Sequence, residues 1–268
     1  MFRVELAKAF HRWRTWLLAA AIGGIPVVIV LATKLSPPQP QDAGDAPAFL
    51  LQITTSGLYA ALTGLAVVQP FFLPLAAGLF AGDAVAGEAQ AGTLRYLLLR
   101  PVRRTRLVLA KYASAMALLG FMVLATIVGG VVAGWVVFGL KPMPTLSGTT
   151  LSVAEGLLRI AGAGVFMVLA ISGIACIGLW ISTRTDSGPG AAVATIVVAI
   201  ASQIMGQIQS LHAIHAYLPT NGWLGFTGLF RFPVDWSQMR AGLVVSAGYT
   251  AVFLALSLLG FRRRDVTS

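Results

Sequence analysis

The residues able to do chemistry are few, and they sit together. Between two long apolar runs lies the segment from Gly82 to Arg104, which holds Asp83, Glu88, Arg95, Arg100, Arg103 and Arg104. Asp83 suits the N-cap of a short helix, Gly92 and Thr93 can end that helix and cap a second, and Pro101 stops the second. Leu94, Leu97 and Leu98 fall at i, i+3 and i+4 and give this second helix one apolar face, with Arg95 off it. A helix pair with an apolar side, a carboxylate at Glu88 and a basic exit suits docking into a groove of a soluble partner. Bond-making chemistry has no comparable constellation. There are no paired catalytic carboxylates, no His-Glu-x-x-His and no Gly-x-Ser-x-Gly elbow. The lysines are Lys8, Lys34, Lys111 and Lys141, and none follows the glycines of a phosphate loop, so this chain has no such cradle for nucleotide phosphates. His212 and His215 share a helix face, but without a nearby Cys or carboxylate they read as interfacial side chains and no metal is expected.

The elements that must position this segment follow from composition. Of 268 residues, 57% are of the AVILMFWYC class and 10% are charged, against roughly a quarter charged in soluble domains. Lipid is therefore the expected solvent, and a disordered, collagenous or disulfide-built chain is excluded: glycine shows no strict period and Cys176 stands alone. Runs free of Asp, Glu, Lys and Arg predict an all-α polytopic membrane protein, a single transmembrane domain over 1–268. Its six transmembrane helices are expected near 15–33, 58–80, 112–138, 160–181, 191–210 and 241–260, each long enough for the ~20 residues that cross hydrocarbon. Segment 83–104 lies between spans two and three, and 211–238 is expected as a surface or re-entrant piece broken at Pro219 to Gly222. Residues 1–14 form an interfacial amphipathic helix: Phe2, Leu6, Phe10, Trp13 and Trp16 share one arc, with Arg3, Lys8, Arg12 and Arg14 around the remainder. This stretch is not expected to be a cleaved signal peptide. Six spans leave only Lys34, Lys141, Arg159, Arg231 and Arg240 opposite the termini, five basic residues of 19. The positive-inside bias then puts both termini in the cytoplasm of a cell inner membrane, with the +10 net charge aimed at lipid headgroups and not at nucleic acid.

Glu88, the run Gly92-Thr93-Leu94, then Leu97-Leu98, Pro101 and Arg104, followed by Lys111, resembles the signature of type-2 ATP-binding-cassette (ABC) transporter permeases. The terminus Phe261-Arg262-Arg263-Arg264-Asp265 also looks like that family's. The resemblance implies that 83–104 is a cytoplasmic coupling helix segment seated on an ATPase, and that Glu88 and Arg95 touch it. It further implies two cytoplasmic ABC ATPase subunits that hold ATP and Mg, no cofactor on this chain, and a second permease copy or sister subunit as dimer partner.

No acidic residue lies in the central part of any expected span, which argues against proton coupling and leaves ATP as the energy source. In the fifth span Ser202, Gly206 and Ser210 make a small-residue seam beside Gln203 and Gln207. In the resembled family spans one and five face the partner permease, so the seam is a candidate dimer contact and the glutamines are candidates for the pathway; intrachain packing is the alternative. Gln69, Pro70, Phe71, Phe72 and Pro74 interrupt the second span, where proline permits a bend and the rings suit an apolar route. Gly130 and Gly134 are read as packing. The uncharged spans suit a lipophilic or amphipathic cargo such as a drug, antibiotic or lipid, moved outward by alternating access. An ATP-independent channel or carrier is the alternative reading.

Overall fold

The computed structural model describes residues 1–37, 49–92, 104–145 and 147–262. Its helices are α1 (Phe2–Phe10), α2 (Trp13–Leu35), α3 (Leu58–Ala77), α4 (Asp83–Gln90), α5 (Arg104–Phe138), α6 (Val153–Ser182), α7 (Gly188–Gln207), α8 (His212–His215) and α9 (Ser237–Arg262). A π turn, Gly78–Gly82, joins α3 to α4 without a break. The one described sheet is a two-stranded antiparallel hairpin in which Met143 pairs with Leu151. Six helical stretches are long and apolar enough to cross a membrane, with α3 and α4 counted as one. The chain is an all-α multi-pass membrane protein.

The termini end starts with a sharp elbow. Arg12 is extended between α1 and α2, so the chain turns there from one helix direction to another. The last carbonyls of α1 have no partner within their own helix. Thr15 Oγ1 donates to Ala9 O at 2.7 Å and Trp16 Nε1 to Phe10 O at 2.8 Å, so the first turn of α2 caps the end of α1. Phe10 and Trp16 then meet Phe121 of α5 edge-on at 5.1 and 5.5 Å. Trp16→Phe keeps the ring and loses one hydrogen bond, and is expected to lower stability by about 1 kcal/mol in thermal unfolding of the purified protein.

Packing within the bundle depends on close backbone approach. A Cβ at Gly134 of α5 would fall 2.0 Å from Gly57 O, and one at Gly129 would fall 2.1 Å from Gly23 O. Gly130, whose Cβ would lie 2.5 Å from Ala61 Cα, completes the surface on which α5 receives α3. The packing role read for Gly130 and Gly134 is the one the geometry gives. Helix α6 is the most buried of the six crossing stretches, while α2, α7 and α9 leave most of their surface outward. Between α6 and α9 the hydroxyl of Ser172 meets Ser246 at 3.1 Å and Thr250 at 2.9 Å, a polar contact of the kind that joins helices where no water competes.

The end opposite the termini is closed by aromatic rings. Phe49 packs against Tyr59, Phe226 and Phe230, with centroids 6.1, 6.4 and 5.6 Å away. Trp223–Phe230 is a 3-10 helix folded beneath the bundle's rim, and Gly222 enters it at φ +70, where a Cβ would lie 2.8 Å from Gly242 Cα. The break expected at Pro219 to Gly222 is thus a left-handed turn that carries a buried aromatic plug.

Candidate functional site

Helix α4 is anchored by four elements. Where the π turn gives way to α4, the regular i to i−4 ladder is interrupted. The amides of Val85 and Ala86 both donate to Ser182 Oγ, at 3.0 and 2.9 Å, from the last turn of α6. One turn later Gln90 Oε1 accepts from Gly188 N at 3.1 Å, an amide in the first turn of α7. Ser182→Ala leaves two buried amides without that acceptor and is expected to cost about 1 to 2 kcal/mol, read by thermal unfolding. Asp83 does not cap α4 as expected: the chain arrives already helical through Gly82, so there is no free helix start to cap. Its carboxylate instead lies against Gly87 and Gly188, where a Cβ would approach Oδ1 to 2.3 and 2.0 Å.

Glu88 is buried, its side chain 8% exposed. Lys8 of α1 reaches its Oε1 at 3.0 Å and Lys111 of α5 its Oε2 at 2.7 Å. Lys111, 2% exposed, also faces Glu5 Oε2 at 3.5 Å. Four alternating charges therefore join α1, α4 and α5 in one network. The carboxylate that the resemblance placed on the ATPase is turned inward here, onto two ammonium groups of its own chain. A buried carboxylate needs such partners because the desolvation of an unpaired ion costs several kcal/mol. A cavity of about 320 Å³ adjoins the network, walled by Arg12, Arg14 and Asp83 as well as by Glu5, Lys8 and Lys111.

Gly92 ends the helix with φ +65, in the left-handed region that glycine adopts most cheaply. Thr93, Leu94, Arg95, Leu97, Leu98 and Pro101 lie outside the described residues. The chain is described again from Arg104, whose Nη1 donates to Phe261 O at 3.2 Å, near the end of α9. There a cation meets carbonyls left without helical partners. The start of α5 and the last helix are thereby tied together at the same end of the molecule as α4.

The second group of expected residues is only partly brought together. Ser202 is buried and shares a 2.7 Å hydrogen bond with Thr220 of the opposite-end segment, so this member of the seam packs within its own chain. Gly206 and Gln207 are exposed near the end of α7. Gln203 Nε2 donates to Pro70 O, across to α3. That carbonyl is the one a residue at position 74 would normally bond, and Pro74 has no N–H. Gln203 therefore supplies the donor that Pro74 withholds. Gln69 is fully buried, with no hydrogen-bond partner for its amide among the described residues. Phe71 points outward and Phe72 is half-buried, their rings edge to face at 5.3 Å.

Glu5, Lys8, Ser182 and Gln90 were not anticipated as site residues. Only the pair Glu5 and Lys8 leaves a trace in the sequence, as opposite charges three apart on one helix face.

Residues 2–266 match the family described as ABC-2 family transporter protein. The chain belongs to the ABC-2 transporter family. A match over nearly the whole chain makes this an ABC transporter permease, a class of membrane subunits that work with ABC ATPase partners. No curated protein matches the permease.

Proposed function

We propose that this permease is the membrane half of an ATP-driven exporter. Two copies of a cytoplasmic ABC ATPase hold ATP and Mg, and a second permease copy or a sister subunit completes the pathway. The observation that carries the reading is the junction at the termini end. Helix α4 is bonded at once to α1, α5, α6 and α7 through Glu88, Ser182 and Gln90, and leads through Gly92 toward Thr93 to Arg103. A push delivered to residues 93–103 is transmitted to four helices together, as alternating access requires. In this reading Glu88 holds the coupling segment in place, and the apolar face of Leu94, Leu97 and Leu98, with Arg95 beside it, makes the contact with the ATPase. The outward faces of α2 and α7 suit the partner permease, with Gly206 and Gln207 available to it. Spans without central carboxylates suit a lipophilic or amphipathic cargo leaving the cytoplasm or the inner leaflet, with both chain termini cytoplasmic.

Purification of the tagged permease from its own membranes, followed by reconstitution into vesicles, tests this. A soluble ABC ATPase is expected to accompany it, and release of an amphipathic dye to require ATP hydrolysis. Replacing Leu97 and Leu98 with Asp is expected to strip the ATPase while the permease remains folded. Dye movement by the chain alone, without ATPase or nucleotide, would instead establish the channel or carrier reading.

A further inference from the structure

On the side of the bundle away from the charged network, a groove of about 660 Å³ runs between α9 and the segment that holds α8. Its walls are apolar through Val244, Gly248 and Val252, while Arg240 stands at one end with Tyr217 and Tyr249 beside the opening. Tyr249 donates its hydroxyl to Tyr217 O at 3.0 Å, which fixes the segment against α9 and keeps the groove from closing. Arg240 is exposed, on the first turn of α9, where the helix dipole adds to its positive charge. Among the described residues no carboxylate lies within ion-pairing distance of it; the nearby Asp235 faces Arg231 at 4.0 Å and Ser237.

Depth and length identify the occupant. Trp236 is exposed at this end, and such rings settle at headgroup level. Arg240 follows Trp236 by one turn, near enough for its long side chain to reach back to headgroup height. From Arg240 to Val252 the helix advances twelve residues, about 18 Å at the usual rise. One leaflet of hydrocarbon is about 15 Å deep. We infer that this groove binds one anionic phospholipid of the leaflet opposite the termini, its headgroup on Arg240 and an acyl chain along Val244, Gly248 and Val252. A lateral lipid face without a built site would take any neighbour; here Arg240, a cation with no carboxylate partner among the described residues, stands at the head of an apolar channel and favours negative charge.

A Cβ at Gly248 meets nothing within 4 Å, so a large side chain can fill the groove without disturbing the bundle. Full-length protein is extracted from vesicles of equal phosphatidylglycerol and phosphatidylcholine, and native mass spectrometry counts the lipid retained. Wild type is expected to retain phosphatidylglycerol preferentially. Arg240→Gln should cut that retention about tenfold, the loss of one charge-assisted hydrogen bond, and Arg231→Gln should leave it unchanged. Gly248→Phe should remove retention of both lipids while the unfolding temperature stays near wild type. An unchanged preference in Arg240→Gln, or unchanged lipid count in Gly248→Phe, would overturn the assignment. Displacement of the retained lipid by inorganic phosphate would also overturn it, by showing that the acyl chain contributes nothing. Disulfide-linked dimers from Gly248→Cys in native membranes would assign the groove to a second copy of the chain and overturn it equally.

Discussion

Glu88→Gln is expected to destabilise the permease by about 3 to 5 kcal/mol, the cost of breaking a buried ion pair from one side. The carboxylate is shared by Lys8 at 3.0 Å and Lys111 at 2.7 Å, and the two lysines are not equivalent. Lys8 is 46% exposed and can return to water, whereas Lys111 is 2% exposed and keeps only Glu5, at 3.5 Å, when Glu88 is neutralised. The loss therefore arises chiefly from stranding Lys111. Lys8→Met should cost about 1 kcal/mol or less, as half-exposed pairs do. Removing the stranded charge as well, in Glu88→Gln with Lys111→Met, should recover most of the loss. Thermal unfolding of wild type, Glu88→Gln, Lys111→Met and the double variant forms a double-mutant cycle. Additive losses would show that Glu88 and Lys111 act independently. In the assembled transporter the same single variant should lower transport-coupled ATP hydrolysis more than basal hydrolysis, because α4 is no longer fixed to α1 and α5.

Gln203→Leu should cost about 3 kcal/mol, since an unsatisfied carbonyl at membrane depth has no water to turn to. Pro74 cannot donate to Pro70 O, so the side chain of Gln203 is the donor across from α7. Pro74→Ala restores an amide at the helical position that bonds this carbonyl. In that background Gln203→Leu should become nearly neutral. Equal losses from Gln203→Leu with and without Pro74 would show that the bond to Pro70 is not what Gln203 contributes. The bond also joins α3 to α7 at the point where α3 has lost a ladder bond and bends most easily. Gln203→Leu is therefore expected to change the transport rate even where folding is rescued by a bound partner or lipid.

What was legible depended on whether the physical requirement was local. Each crossing helix needs about twenty consecutive apolar residues, a property of one stretch of chain, and all six could be read directly. Gly92 as a helix end and Gly130 and Gly134 as packing residues follow from the absence of a side chain, which is also local. Asp83 misled because its residue type suits a cap, yet capping requires a helix start, and the π turn had already carried helix through that point. Ser202 looked available to a partner because its neighbours at fourfold spacing are small. The fold spends it on Thr220, a residue brought back by the opposite-end segment. Gln203 and Pro74 were each visible as polar or helix-breaking residues, but their complementarity required knowing that α7 crosses α3 at that height.

The amino-acid sequence alone determined the solvent, the number of crossing helices and the family resemblance. These follow from composition and short-range spacing, which lipid and helix geometry constrain directly. The tertiary structure alone decided which way Glu88 faces. Its two lysines lie 80 and 23 positions away along the chain, and no periodicity links residues on different helices. Only the packing of α1 and α5 against α4 encloses the carboxylate, and burial is what turns an ordinary acidic residue into a fixed joint between three helices.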